Sequence, residues 1–335
     1  MAQILPDNMV QVSCTSGAMS QPWDAHLIHS VNDIHTYFTP MVGDIDGDGV
    51  VEIVVGIPTT NNHYTTKIGV FRGTDLSEKS DFIVNASIYA GWAGTMLLVR
   101  YPNGDDLEIG AIVLHCFDHK LRSYDAQGNL LHVSNVNTPC DGAISTADFN
   151  GDGYPEIYIG NAVYDAATLK RLCDGGSTGS MGLGYRGSNT DHGHIAMSFA
   201  ANLLGDEKPE LICGNTIYSV DINSRTDAQQ NSVNVVKTIT PPENFPMQGH
   251  PLVADFNMDG QLDVLVVVDD MVAEFTMVRL FSTLTTRLRK IFCLNMRIMT
   301  EPQAIRLLVI LMATAFWKLC LSTSRKMFRW RVFGR

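Results

Sequence analysis

The sequence predicts an all-β chain folded as a β-propeller of four-stranded blades. Three observations predict this fold: acidic loops recur about every fifty residues, short β-branched runs follow them, and no stretch before residue 270 shows a long helical period. Repeats of about 40 to 50 residues built from short strands are typical of propeller blades. About five blades are recognisable, and an intact relative is expected to have six or seven.

The repeat consists of three full acidic loops and two degraded copies. The full loops begin at Asp44, Asp148 and Asp255, and the degraded copies lie near Asn103 and Gly205. The final acids of the five copies stand at residues 52, 108, 156, 210 and 263, in steps of 56, 48, 54 and 53 residues. An apolar run follows each full loop, which predicts that each loop leads into an inner strand.

Composition and charge limit the class of protein. The 335 residues are 45% hydrophobic and 18% charged, enough to bury a core, and seven cysteines are too sparse for a disulfide scaffold. A net charge of −11 disfavours nucleic-acid binding, because an acidic chain repels phosphate. The first ten residues show neither a basic nor an apolar region typical of a signal peptide.

The full loops carry oxygen ligands at positions 1, 3, 5 and 9 and glycine at position 6, with a backbone carbonyl available at position 7. Calcium takes six to eight such oxygens, and the glycine permits the sharp turn. The predicted ligands are Asp44, Asp46, Asp48, Val50 (carbonyl) and Glu52; Asp148, Asn150, Asp152, Tyr154 (carbonyl) and Glu156; and Asp255, Asn257, Asp259, Gln261 (carbonyl) and Asp263. The degraded copies have Arg100 or Asn202 at position 1 and are expected to bind nothing.

Two other interpretations of these loops are an EF-hand and a turn that holds no metal. An EF-hand needs an acid at position 12 and a following helix, whereas position 12 here is Val55, Ile159 or Val266 inside a predicted strand. The EF-hand interpretation therefore fails. A turn rich in Asp and Gly that holds no metal remains the alternative, and three full copies at a fixed register argue against it.

With these loops and the strands after them, the chain resembles the FG-GAP/VCBS repeat family, which includes the integrin α-subunit propellers. The resemblance covers roughly residues 38–270 and rests on the three Asp-x-[Asp/Asn]-x-Asp-Gly-x-x-[Glu/Asp] loops. It implies calcium-binding hairpin loops on a propeller found outside the cell or on its surface. The chain differs from that family by alternating full and degraded loops and by lacking clear Phe-Gly and Gly-Ala-Pro signatures.

The predicted organisation has three parts: an N-terminal segment, 1–37, with one candidate closing strand; the blades, 38–270; and an aberrant tail, 271–335. The tail holds 12 of the 24 basic residues but only 2 of the 35 acidic ones, and its only glycine is Gly334. Reading the codons one frame over permits Gly-Asp-Ile-Asp-Gly-Asp-Gly-Phe-Leu-Glu-Ile across residues 308–319. We therefore interpret the tail as out-of-frame translation that begins near Asp270, which the encoding DNA would test.

The tail has two other interpretations, a membrane anchor and an amphipathic helix that binds a partner. The apolar run of eleven residues between Arg306 and Lys318 is shorter than the ~20 residues that a membrane span needs. No membrane span is therefore expected.

Outside the loops, Asp191, His192 and His194, near Arg186, could serve a metal or catalytic site, but residues 182–194 are expected to form a glycine-rich connection between blades. His250 is expected to have a role in the core. Trp92 and Tyr101 are expected to pack between blades rather than to stack on a sugar ring, and the cysteines before residue 270 are expected to act as small buried hydrophobes. No phosphate loop, nucleophile elbow or zinc-protease motif occurs in the sequence.

The sequence thus predicts an extracellular or cell-surface propeller that binds calcium (Ca²⁺) and serves as a scaffold for binding or adhesion to an extracellular protein or polysaccharide. The alternative is a carbohydrate-active enzyme similar to a polysaccharide lyase. Convergence of His192, His194, His250 and Arg186 in one cleft would favour the enzyme.

Overall fold

The computed structural model describes most of the chain between His26 and Cys293. The described residues are 26–58 (apart from 33, 35, 37 and 38), 64–89, 95–102, 108–184, 195–238, 250–255, 260–270, 275–282 and 292–293. The chain divides into two compact units, residues 27–295 and a unit of residues 1–26 with 296–335. All described residues except His26 belong to the first unit. The predicted closing strand within residues 1–37, Met9 to Ser13, lies outside the described residues.

Five four-stranded sheets follow one another along the chain, each with its strands in sequential order. We number them blades 1 to 5. Blades 1 and 2 consist of β1 (Met41–Gly43), β2 (Glu52–Pro58), β3 (Tyr64–Arg72), β4 (Glu78–Tyr89), β5 (Met96–Pro102), β6 (Glu108–His115), β7 (Leu121–Tyr124) and β8 (Leu130–Val133). Antiparallel pairing of neighbours in the order 1-2-3-4 is the arrangement expected of a propeller blade.

The later blades repeat this order, and a small sheet of three two-residue strands accompanies blade 3. In chain order the strands are β9 (Asp141–Gly142), β10 (Ser145–Ala147), β11 (Glu156–Ile159), β12 (Ala162–Asp165), β13 (Arg171–Asp174), β14 (Leu183–Gly184), β15 (Ile195–Ala196), β16 (Ser198–Ala201), β17 (Glu210–Cys213), β18 (Thr216–Asp221), β19 (Ser232–Thr238), β20 (His250–Ala254), β21 (Asp263–Asp270), β22 (Phe275–Ser282) and β23 (Phe292–Cys293). The small sheet has the order β14-β15-β9. One 3₁₀ turn, Ala228–Gln230, precedes β19.

The all-β propeller class and the count of about five blades are confirmed, and the described residues contain no α-helix. Strands β22 and β23 of blade 5 lie beyond residue 270, the predicted end of the blades. The out-of-frame origin of residues 271–335 concerns the encoding DNA and stays a prediction.

The core lies between consecutive blades, in four clusters of buried side chains that join blades 1–2, 2–3, 3–4 and 4–5. Strand β6 shows why: Ile112 and Leu114 pack toward blade 1, whereas Ala111 and Val113 pack toward blade 3. Successive side chains of a strand point to opposite faces, and both faces of this sheet are covered. The sequences of the central strands are therefore continuous apolar runs, without alternation of apolar and polar residues.

Gly110, at the start of this buried stretch, lies against the backbone of the first acidic loop. A Cβ atom at this position would overlap the carbonyl group of Ile45. We therefore expect Gly110→Ala to lower the free energy of unfolding by about 1–3 kcal/mol, because overpacking forces the two backbones apart. Urea denaturation measures this difference, and an unchanged midpoint would show that the two blades separate without cost.

Candidate metal centre

The acidic loops connect the first and second strands of their blades, and an apolar side chain at position 2 anchors each described loop. These side chains are Ile45, Phe149 and Leu203, and each is at most 5% exposed within an inter-blade cluster. The anchor is apolar because the loop begins at the edge of the core. The polar positions on either side of it are consequently held at the surface end of the blade.

In the loops of blades 1, 3 and 4, the final acid accepts a hydrogen bond from the backbone N–H of position 2. Glu52 Oε2 accepts from Ile45 at 2.9 Å, Glu156 Oε2 from Phe149 at 2.9 Å, and Glu210 Oε2 from Leu203 at 2.7 Å. All three glutamates are buried. Since the degraded loop of blade 4 keeps this bond, the final acid closes the loop whether or not the loop has the other carboxylates.

The first residue of the loops in blades 1, 3, 4 and 5 accepts hydrogen bonds from the loop's own backbone. Asp44 accepts from Gly47 at 2.7 Å and from Gly49 at 3.1 Å. The two glycines have φ values of 75° and 83°, a left-handed conformation that only glycine adopts without strain. The glycine at position 6 is thus required by the turn, as the sequence predicted.

In loop 1 the carboxylates of Asp44, Asp46 and Asp48 lie together, with one oxygen atom from each within 4.8 Å of the other two. The ammonium group of Lys79 lies beside them. Its Nζ is 2.6 Å from Asp46 Oδ2, 3.1 Å from Asp48 Oδ2 and 2.9 Å from Glu52 Oε1. Three predicted calcium ligands thus converge on one positive charge, and these hydrogen bonds raise the pKa of Lys79 against the effect of burial.

Sequence analysis missed Lys79 because it lies 27 residues after Glu52 and outside the loop motif. It occupies a β-bulge in β4: Val70 pairs with Ser80 and Phe71 with Glu78, which leaves Lys79 between the pairs. The matching bulge residue in blade 3 is Leu172, which is buried between blades 3 and 4. The two full loops therefore differ in whether the protein supplies a cation.

Among the described residues, loop 3 has no such lysine, and its aspartates accept hydrogen bonds from the loop backbone. Asp148 accepts from Gly151 at 2.7 Å and Gly153 at 2.8 Å, while Asp152 Oδ1 accepts from Tyr154 at 2.8 Å. Burial raises the pKa of Glu156 to about 7, and the nearby charges of Asp152 and Asp148 add to this rise. Negative charge at this loop is therefore poorly compensated, which is the condition that a divalent cation relieves.

Residues of blade 4 contact loop 3. The Arg225 guanidinium lies 4.0 Å from the centre of the Tyr154 ring and 2.7 Å from Asp165 Oδ2. Asn150, a predicted ligand, also donates to the Ile222 carbonyl at 3.3 Å. The amide nitrogen of Asn150 therefore serves the contact between blades, and its oxygen accepts from the Asp152 backbone at 3.1 Å.

Loop 5 is described in part. Asp255 accepts from Gly260 at 2.8 Å, the bond expected between positions 1 and 6, and Gly260 has a φ of 85°. Asp263 is 1% exposed at the start of β21. Asn257 and Asp259 lie outside the described residues, so the convergence of this set stays a prediction, as does a ligand role for the Val50, Tyr154 and Gln261 carbonyl groups.

The two degraded loops differ in how many features of a full loop they retain. In blade 4, Asn202 replaces the first aspartate and accepts from Gly205 at 2.7 Å, so the turn survives with fewer charges. In blade 2, Arg100 extends toward loop 1, where its Nη1 lies 3.9 Å from Asp44 Oδ2. That the two copies bind no metal stays a prediction.

The other residues singled out by the sequence are described in part. Tyr101 is 6% exposed between blades 2 and 3, which confirms its packing role, whereas Trp92 lies outside the described residues. Cys116 and Cys213 are buried free thiols, and Cys140 and Cys173 are partly buried free thiols. Arg186, Asp191, His192 and His194 also lie outside the described residues, so their convergence with His250 stays a prediction.

Comparison with known proteins agrees with this geometry. The model of the FG-GAP repeat family matches residues 142–180, a range that contains the whole of blade 3 and loop 3. The third blade is thus similar in sequence to an FG-GAP repeat. It carries the full loop whose neighbouring bulge residue is Leu172 rather than a lysine. No curated protein matches the chain in sequence.

Solved structures similar to this chain include the biofilm matrix protein Bap1 of V. cholerae. The two share 19% identity with a TM-score of 0.50, over 74% of this chain and 38% of Bap1. The likeness shows the fold, and this chain spans well under half the length of that protein.

Two further structures are similar at 10% identity. BamB from Moraxella catarrhalis has a TM-score of 0.35 over 75% of this chain and 74% of its own. BBS1N, solved in complex with ARL6DN, has a TM-score of 0.28 over 80% of this chain and 85% of its own. Within the described part of the chain, no helix is long and apolar enough to cross a membrane.

Proposed function

We propose that the chain is an extracellular calcium-binding β-propeller that serves as a scaffold for binding or adhesion to a protein or polysaccharide outside the cell. The observation that carries the proposal is the grouping of three aspartate carboxylates in loop 1, whose motif recurs at the same end of blade 3. In loop 1 three aspartate carboxylates lie within 4.8 Å of one another. In loop 3 the equivalent positions hold Asp148, Asn150 and Asp152.

The donor set favours calcium over softer metals. Every proposed ligand atom is an oxygen, from a carboxylate, an amide or a backbone carbonyl group, and hard cations such as Ca²⁺ prefer this chemistry. Loop 3 would bind the ion through Asp148, Asn150, Asp152 and Glu156. A bound calcium ion would compensate the charge that raises the pKa of Glu156 and would fix the loop against blade 4.

Loop 1 would bind calcium only if Lys79 withdraws. The Lys79 ammonium group already satisfies Asp46, Asp48 and Glu52, so calcium must compete with an intramolecular cation. We therefore propose that loop 3 is the tighter site and that loop 1 is weaker. Loop 5 is the third proposed site.

The scaffold role is supported by the repeat and by the fold. Blade 3 matches the FG-GAP repeat, and one solved structure of similar fold is a biofilm matrix protein. A propeller whose loops are fixed by ions presents a rigid surface, which lowers the entropy cost of binding a large ligand. Extracellular calcium modules bind at about 10⁻⁴–10⁻³ M, which suits a calcium-rich location outside the cell.

Thermal unfolding with calcium and with a chelator tests this proposal. Calcium at about a hundredfold over its dissociation constant should stabilise the fold by about 2.7 kcal/mol for each independent site. The expected result is a higher unfolding midpoint in calcium than in chelator, with magnesium giving a smaller rise. Equal midpoints in calcium and chelator would contradict occupied sites.

A further inference from the structure

A second cluster of side chains lies at the end of blade 2 away from the acidic loops. Strand β6 ends at His115, His119 lies in the turn that follows, and Asp141 lies in β9. One ligand atom from each of these residues lies within 4.8 Å of the other two. Two imidazoles and one carboxylate therefore meet at a place that the calcium loops do not reach.

His115 is buried at the end of β6, where its ring is held in place. The residue is 4% exposed, and its Nε2 lies 2.9 Å from Thr138 Oγ1, which orients the ring. A neutral imidazole offers a nitrogen lone pair to a metal ion.

Thr138 has an alternative for its hydroxyl group. Its Oγ1 lies 3.3 Å from the His119 carbonyl oxygen as well as 2.9 Å from His115 Nε2. If the imidazole turns its lone pair to a metal ion, the hydroxyl group can donate to the carbonyl instead. The buried hydroxyl would then keep a hydrogen bond when the metal binds.

His119 is fixed beside Asp141 and open to solvent. Its backbone has a φ of 59°, and it is held on both sides: its N–H donates to Cys116 at 3.0 Å, and its carbonyl accepts from Thr138 at 2.8 Å. Its Nδ1 lies 3.0 Å from Asp141 Oδ1, with the His119 side chain 49% exposed. The cluster is therefore both preorganised and accessible to an ion.

We propose that His115, His119 and Asp141 form a binding site for a first-row transition-metal ion, Zn²⁺ above all, distinct from the calcium loops. Nitrogen donors favour zinc and its neighbours, whereas calcium and magnesium prefer oxygen alone. Three protein ligands leave the fourth position of a tetrahedral zinc ion to water, on the exposed side of His119. The site joins the turn of blade 2 to the strand that leads into blade 3.

Titration of the full chain with Co²⁺ tests this site, because cobalt bound by histidine gives visible absorption bands that zinc lacks. The titration is carried out in saturating calcium, so that the acidic loops do not compete. We expect one Co²⁺ ion to bind with visible bands and to be displaced by Zn²⁺. His119→Ala and Asp141→Asn should each weaken the affinity by about tenfold or more.

The matched control is His132→Ala, which removes an exposed histidine from the neighbouring strand β8. It should leave the cobalt bands and the affinity unchanged. A melting curve in calcium for each variant confirms that it is folded. The proposal is overturned if the wild-type chain shows no cobalt bands, or if His119→Ala and Asp141→Asn bind cobalt as tightly as the control does. Either result would mean that the three residues only hydrogen-bond to their neighbours.

Discussion

Replacing Lys79 with methionine is expected to lower the free energy of unfolding in chelator by about 2–3 kcal/mol and to make blade 1 depend on calcium. The substitution gives blade 1 an apolar bulge residue, as blade 3 has in Leu172. Glu52, which is fully buried, would then lose its cationic partner, and a buried carboxylate left unpaired is costly. The expected loss is smaller than for a fully buried ion pair, because the Lys79 side chain is 15% exposed.

Calcium should reverse this loss, because a divalent ion can replace the ammonium group among the same oxygens. The measurement is chemical denaturation of the wild type and the variant, each in calcium and in chelator. Lys208→Met is the matched control, since Lys208 is exposed in the degraded loop of blade 4. A variant that is destabilised equally in calcium and in chelator would show that loop 1 does not bind calcium even when its lysine is removed.

Asp148→Ala is expected to abolish calcium binding at blade 3 and to destabilise the fold by about 2 kcal/mol or more. The carboxylate accepts hydrogen bonds from three backbone N–H groups of its loop, those of Gly151, Asp152 and Gly153. Hydrogen bonds to a charged group contribute about 1.5–3 kcal/mol each where they are shielded, and less at this exposed site. Calorimetric titration should show the loss of the tightest calcium site.

The matched control for Asp148→Ala is Asn202→Ala. Asn202 fills the same position in the degraded loop and accepts one such bond, from Gly205. Its removal should cost less stability and leave calcium binding unchanged. If both variants lose calcium binding equally, the acidic loop of blade 3 is not the site.

The loops show how far the sequence could be interpreted by itself. The acids at position 9 were predicted as calcium ligands, yet Glu210 makes the same bond to Leu203 in a loop that lacks the other acids. The motif therefore combines two requirements, closure of the turn and binding of a cation, which a linear pattern cannot separate. Tertiary structure separates them because it shows which backbone N–H group each carboxylate accepts from.

The sequence could not identify the zinc site that we propose. His115, His119 and Asp141 form no motif, and Asp141 comes close to the others only through the path of the chain between β8 and β9, where Thr138 contacts His115 and His119. The signal available in the sequence was the spacing of the two histidines across a short turn. The third residue depends on how consecutive blades pack.

The periodicity of glycine, aspartate and β-branched residues was sufficient to determine the all-β class, the repeat length and the blade order, because these depend on local backbone geometry and on the burial of short strands. Only the tertiary structure decided which carboxylates lie beside a lysine and which, in the described part of the chain, have no positive charge to compensate them. That outcome depends on a bulge in the outermost strand, which directs Lys79 into loop 1 and Leu172 into the core. Charge compensation acts through space between residues far apart in the chain, so no local pattern encodes it.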